Sequence, residues 1–105
     1  RLFEEINGYI CLHLADSGLS VEEIARRHGV SRSYLYTVFE TMLGCHPAEY
    51  IRQLRLRQAC RLLKSGRWLL SEVAAESGFS SLSVFSRSFR RMTGVSPSEY
   101  MRSAA

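Results

Sequence analysis

Apolar positions recur along this chain at the 3.6-residue spacing of helices, and glycines and serines break the pattern into seven stretches. Phe3, Ile6, Ile10 and Leu14 share one face, which predicts an opening helix over residues 2–16 that Ser17-Gly18 ends. Ser20 begins the next helix, with Glu23 placed to close a capping box and Leu19 placed to staple onto Ile24. Gly29 stops it. Ser31 caps a helix that runs to about Leu43 and ends at Gly44. From Pro47 a long helix is predicted to Lys64, with Tyr50, Ile51, Leu54, Ala59, Leu62 and Leu63 set among Arg52, Arg55, Arg57 and Arg61. A short helix follows, from Leu70 or Ser71 to Ser77, with Gly78 at its end. Ser80 or Ser81 caps another that stops before Gly94. Ser96-Pro97-Ser98-Glu99 is a capping box with proline at the first helical position, so a last short helix begins there. No segment alternates as a strand does. The expected fold is all-α.

The pattern is duplicated. Ile24-Ala25, Gly29 and Val30 correspond to Val73-Ala74, Gly78 and Phe79, 49 positions later. Leu35, Phe39, Gly44, Pro47 and Glu49-Tyr50 correspond to Phe85, Phe89, Gly94, Pro97 and Glu99-Tyr100, 50 positions later. One residue has entered near Ser80-Ser81, where a turn tolerates it. Each copy is helix, tight turn, helix, the geometry of a helix-turn-helix. The predicted organisation is one such subdomain over residues 1–46, a linker helix over 47–64 and a second subdomain over 65–105.

The second helix of such a unit can lie in a DNA major groove, which admits one α-helix. In residues 31–43, Tyr34, Leu35, Val38, Phe39 and Met42 follow core spacing, leaving Ser33, Tyr36, Thr37 and Glu40 outward. In residues 81–93 the core positions are Val84, Phe85, Phe89 and Met92. Ser83, Ser86, Arg87 and Arg90 face out, with Leu82 at the leading end. Small hydroxyl residues let a backbone approach the groove, and arginine reaches guanine or phosphate. On one helix alone the same face could be ordinary polar surface. Its recurrence in both copies favours DNA. The linker of 18 residues spans about 27 Å at ~1.5 Å per residue, near the roughly 34 Å between successive major-groove faces. One monomer is thus expected to read two neighbouring groove segments.

Charge sharpens this. The overall +4 conceals a first half of −3 and a second half, residues 51–105, of +7, so phosphate contacts are expected mainly in the second. Arg57 and Arg61 are candidates there, although solvated helix surface would look the same. Cys11, Cys45 and Cys60 show no CxxC spacing and are expected to be reduced thiols in a cytoplasmic protein. His13, His28 and His46 are scattered. With no metal-ligand spacing, no nucleophile–base pair and no phosphate-cradling loop, neither an enzyme nor a cofactor is expected. No apolar run is long enough to cross a bilayer and no secretion signal opens the chain. Arg1 stands where a whole protein would carry Met, so a segment of a longer protein is expected.

Arg61-Leu62-Leu63, Val73-Ala74, Gly78-Phe79, Phe85-Ser86-Arg87, Phe89, Gly94 and Ser96-Pro97 together resemble the signature of AraC/XylS transcription regulators. The upstream copy fits as well, through Ile24-Ala25, Ser31, Tyr34-Leu35, Phe39, Gly44, Pro47 and Tyr50-Ile51. The resemblance implies two helix-turn-helix subdomains on a long helix, binding an asymmetric double-stranded DNA site as a monomer of this domain. It implies contact with RNA polymerase, more often for activation than repression, and a sensing or dimerising domain outside this segment. By position it implies base contacts at Ser33, Tyr36 and Thr37 in the first unit and at Leu82, Ser83, Ser86 and Arg87 in the second. Ser31, Arg32, Ser81 and Arg90 are the implied phosphate contacts. The chain departs from longer reading side chains at Ser33 and Thr37, carries the acid Glu40 on the first face and places the apolar Leu82 at an edge. A recombinase or repair protein with the same motif, or a helical protein-interaction module, would be the alternatives.

Overall fold

The computed structural model describes residues 1–104 and contains α1 (Leu2–Leu12), α2 (Val21–Arg27), α3 (Arg32–Leu43), α4 (Pro47–Ser65), α5 (Leu70–Glu76), α6 (Leu82–Thr93) and α7 (Pro97–Ala104). No strand occurs among the described residues. Among the described residues the fold is all-α with seven helices, as the periodicity and the breakers require.

The chain forms two compact units. The first comprises residues 1–14 and 18–54, the second residues 15–17 and 55–104. In the first, α3 packs on α1 and α2 around Ile6, Ile10, Ile24, Ala25, Leu35, Phe39 and Ile51. The Phe39 ring meets Phe3 edge-on at 5.3 Å and Tyr50 at 5.7 Å. In the second, α6 packs on α5 and α7 around Ala59, Leu62, Leu63, Val73, Ala74, Phe85 and Phe89. An aromatic row runs Phe79–Phe85–Phe89–Tyr100, with centroids 5.1, 5.6 and 5.5 Å apart.

The tight turns are chemically alike. Gly29 N–H donates to Arg26 O and Val30 N–H to Ala25 O. In the second unit Gly78 N–H donates to Ala75 O and Phe79 N–H to Ala74 O. Those paired bonds form a Schellman motif, and they need a left-handed residue at the glycine. Gly29 has φ +67° and Gly78 φ +85°. The residue after each glycine is then turned back onto its own core, as Val30 and Phe79 are. That fixes the angle at which α3 leaves α2 and α6 leaves α5.

Capping serines start four of the helices. Ser20 Oγ accepts from Glu23 N–H, Ser31 Oγ from Tyr34 N–H and Ser81 Oγ from Val84 N–H. Ser96 and Glu99 close the expected reciprocal box on α7. The Glu23 carboxylate accepts the Tyr9 hydroxyl, tying α1 to α2.

Two expectations need correction. The opening helix stops at Leu12 rather than residue 16, and His13 N–H closes on Tyr9 O. Leu14 still packs against the first core, but from a turn. Asp16, Ser17 and Gly18 are weak helix formers, and the Asp16 carbonyl accepts the Arg55 guanidinium at 2.8 Å instead of a helical N–H. The second correction concerns core positions: Tyr34, Met42 and Val84 are 52%, 56% and 38% exposed. Only Leu35 and Phe39 of α3, and Phe85 and Phe89 of α6, are buried.

Candidate nucleic-acid interface

Because so narrow a stripe anchors each of α3 and α6, most of each helix surface is open. Exposure follows the same order from Ser31 to Glu40 as from Ser81 to Arg90. The cap and first three helical residues are exposed, the fourth and eighth are buried, the fifth and seventh are half-buried, and the sixth and ninth are exposed. The duplicated sequence therefore builds two like surfaces, each on the second helix of its unit.

On α3, Ser33 and Thr37 are exposed on the outermost line and Tyr36 sits half-buried at the shoulder. Thr37 Oγ1 donates to Ser33 O at 3.1 Å. Its proton is spent on the helix, so it presents a methyl and an acceptor outward. The Tyr36 ring lies 4.9 Å from the His46 ring and 5.9 Å from the Arg32 guanidinium. Arg32 also lies 3.5 Å from Glu22. Glu40 faces the solvent with His46 Nδ1 3.9 Å away, an ion pair only when the imidazole is protonated. A groove of about 480 Å³ opens beside Tyr36, Glu40, His46 and Arg52. Arg52 pairs with Glu49, and that hydrogen bond holds the Glu49 carboxyl below its ordinary range.

On α6, Leu82, Ser83 and Arg87 are exposed and Ser86 is half-buried at the shoulder. Arg87 has no ion pair among the described residues, and Glu76, the acid nearest to hand in sequence, does not reach it. Arg90 lies 3.8 Å from Glu99. The Ser96 backbone N–H, followed by the Ser96 side chain, holds the Glu99 carboxyl ionised below its ordinary range, and Arg90 adds to this. Ser31 and Ser81 are occupied as helix caps but only as acceptors, so each hydroxyl keeps a proton to donate. Arg57 and Arg61 are exposed on α4, and Arg61 donates to Gln58 Oε1.

Arg91 lies outside the outward face that periodicity predicts for α6. It is exposed, one turn beyond Arg87, and gives α6 three arginines and no acid. The signal was present in its i+4 spacing from Arg87, but it falls between the polar face and the supposed core positions Val84 and Met92. Among the described residues no helix is long and apolar enough to cross a membrane, and no group of His, Cys, Asp and Glu is placed to hold a metal.

Residues 24–103 match a helix-turn-helix domain family. The chain is 38% identical over 95 residues to a probable transcriptional regulator, LumQ, of Photobacterium leiognathi, covering 90% of this chain and 38% of that protein. It is 34% identical over 82 residues to a lactose operon transcription activator of Staphylococcus xylosus, covering 78% and 29%. It thus spans well under half the length of these relatives. Among solved structures it resembles the DNA-binding domain of the global transcriptional factor AdpA in complex with a target DNA. The TM-score is 0.86 and the identity 31%, over 95% of this chain and 89% of that one.

Proposed function

The chain belongs to the AraC/XylS-type helix-turn-helix family, and from that premise we propose that it is the sequence-specific double-stranded DNA-binding domain of a bacterial transcription regulator. The observation that carries this is the matched exposure of α3 and α6, two like reading surfaces in one chain. Ser33, Tyr36 and Thr37 of α3 and Leu82, Ser83, Ser86 and Arg87 of α6 face base edges. Ser31, Arg32, Arg57, Arg61, Ser81, Arg90 and Arg91 hold phosphates. The whole regulator is cytoplasmic, acts most often as an activator through RNA polymerase, and carries its sensing or dimerising domain outside this segment. Residues 1–46 and 65–105 are the two reading subdomains and residues 47–64 the linker.

Selection of binding sites from random DNA, followed by footprinting, tests this. The expected result is a non-palindromic site covering two successive major grooves, bound by one copy of the domain. Affinity should fall steeply with salt, because each Lys or Arg that neutralises a phosphate releases counterions. A palindrome bound only by a dimer, or a flat salt response, would count against the reading.

Glu40 supplies a finer check. An exposed carboxylate at this end of α3 repels phosphate, and its neighbour His46 compensates only when protonated. Glu40→Gln is expected to tighten binding about two- to threefold at low salt, with the gain shrinking at high salt as screening takes over. Fluorescence anisotropy across a salt series measures it.

A further inference from the structure

The open surface of α6 is not uniformly polar. Leu82 and Val84 stand in its first turn, 43% and 38% exposed. Tyr34 holds the same register of α3 as Val84 does of α6 and is 52% exposed. A single exposed apolar side chain is ordinary and needs no explanation. Here an apolar residue stays exposed at one register of both copies, although the buried stripe lies only one residue away, at Leu35 and Phe85. Between Leu82 and Val84 stands Ser83, whose short side chain lets the backbone approach a surface closely. The rest of the open face carries Arg87, Arg90 and Arg91 with no acid on the helix, a charge that complements a polyanion.

A helix entering the major groove by its N-terminal part brings its first turn to the base edges. There the floor of the groove offers one apolar group, the C5-methyl of thymine. We propose that Leu82 and Val84 read thymine methyl groups, giving the second unit a preference for A·T pairs beside the base that Arg87 contacts. The inference rests on the DNA-binding reading above and adds to it a specificity that hydrogen bonds do not supply. Contact with the methyl removes apolar surface of both partners from water, whereas cytosine at that position offers no such group.

The experiment replaces each thymine of the selected duplex, one at a time, by deoxyuridine, which deletes the methyl and leaves every hydrogen-bonding group in place. At one or two positions in the half-site bound by α6, wild-type affinity should fall about fourfold per methyl. 5-Bromodeoxyuridine, with a bromine of similar size to the methyl, should restore it. Leu82→Ala/Val84→Ala should bind the thymine duplex more weakly and be indifferent to deoxyuridine at those positions. Val84→Thr, which keeps the shape and replaces a methyl by a hydroxyl, should lose part of the effect with the helical circular dichroism unchanged. Deoxyuridine without effect at every position, while the wild type still prefers its selected site, overturns the methyl reading alone. So does a double variant that keeps the full deoxyuridine penalty. A wild type with no preference among duplexes overturns both this inference and the DNA-binding reading beneath it.

Discussion

Arg87→Ala is expected to lower affinity for the selected site by about one to two orders of magnitude and to relax preference at one base pair. A guanidinium that donates to guanine O6 and N7 together contributes roughly 1–3 kcal/mol of discrimination. Arg87 is placed for this. It is exposed on the outermost line of α6, one turn beyond Ser83 and next to Ser86, and no acid competes for it among the described residues. Arg90 differs in two ways. It lies almost a turn later, where a helix entering by its N-terminal part is leaving the groove, and Glu99 sits 3.8 Å from it. Arg90→Ala is therefore expected to weaken all sequences alike and to reduce the salt slope by about one. Both variants should be titrated against a panel of single-base changes in the selected site. A uniform loss across that panel for Arg87→Ala would remove it from base reading and leave it a phosphate contact.

Phe39→Ala and Phe89→Ala are expected to be the most damaging substitutions for stability, each costing about 3–5 kcal/mol. Phe39 is 0% exposed and Phe89 1%. They occupy corresponding positions and join the aromatic contacts of their units, Phe39 with Phe3 and Tyr50, Phe89 with Phe85 and Tyr100. A small domain has roughly 5–15 kcal/mol in all, so either change removes a large share. Urea titration followed by circular dichroism should show the midpoint fall sharply, and amide exchange should quicken first among residues of the same core. The substitutions Phe39→Leu and Phe89→Leu should cost much less. Midpoints close to wild type for either alanine variant would mean that these rings are not the centres of their cores.

Much of the architecture is legible in the chain because its determinants are local. Ser20, Ser31, Ser81 and Ser96 have the side-chain oxygen that an exposed helix N–H needs, and each caps the helix assigned to it. Gly29 and Gly78 are the residues that take positive φ at little cost, and they do so at the two tight turns. The duplication is legible for the same reason, since equal spacing of apolar residues and breakers calls for equal elements. Among the residues expected to face outward, Ser33, Thr37, Ser83 and Arg87 are exposed, while Tyr36 and Ser86 are half-buried.

Capping serines, turn glycines and the repeated spacing of apolar residues act over a few residues, so the chain alone specifies where four of the helices begin and that its unit occurs twice. The width of each buried stripe is set by the packing of the helices on one another. Periodicity gives the angle of a residue around its helix, but burial depends on how far the neighbouring helices reach around it. Neighbours on one side cover Leu35, Phe39, Phe85 and Phe89 and leave Tyr34, Met42 and Val84 in the open. The same partial cover leaves Arg91 exposed, and the Asp16 carbonyl accepts Arg55 from 39 residues away, in a turn where periodicity alone would have carried α1 to residue 16. A contact made across that much sequence leaves no local signature, because its partner is chosen by the packing of whole helices rather than by the residues alongside it.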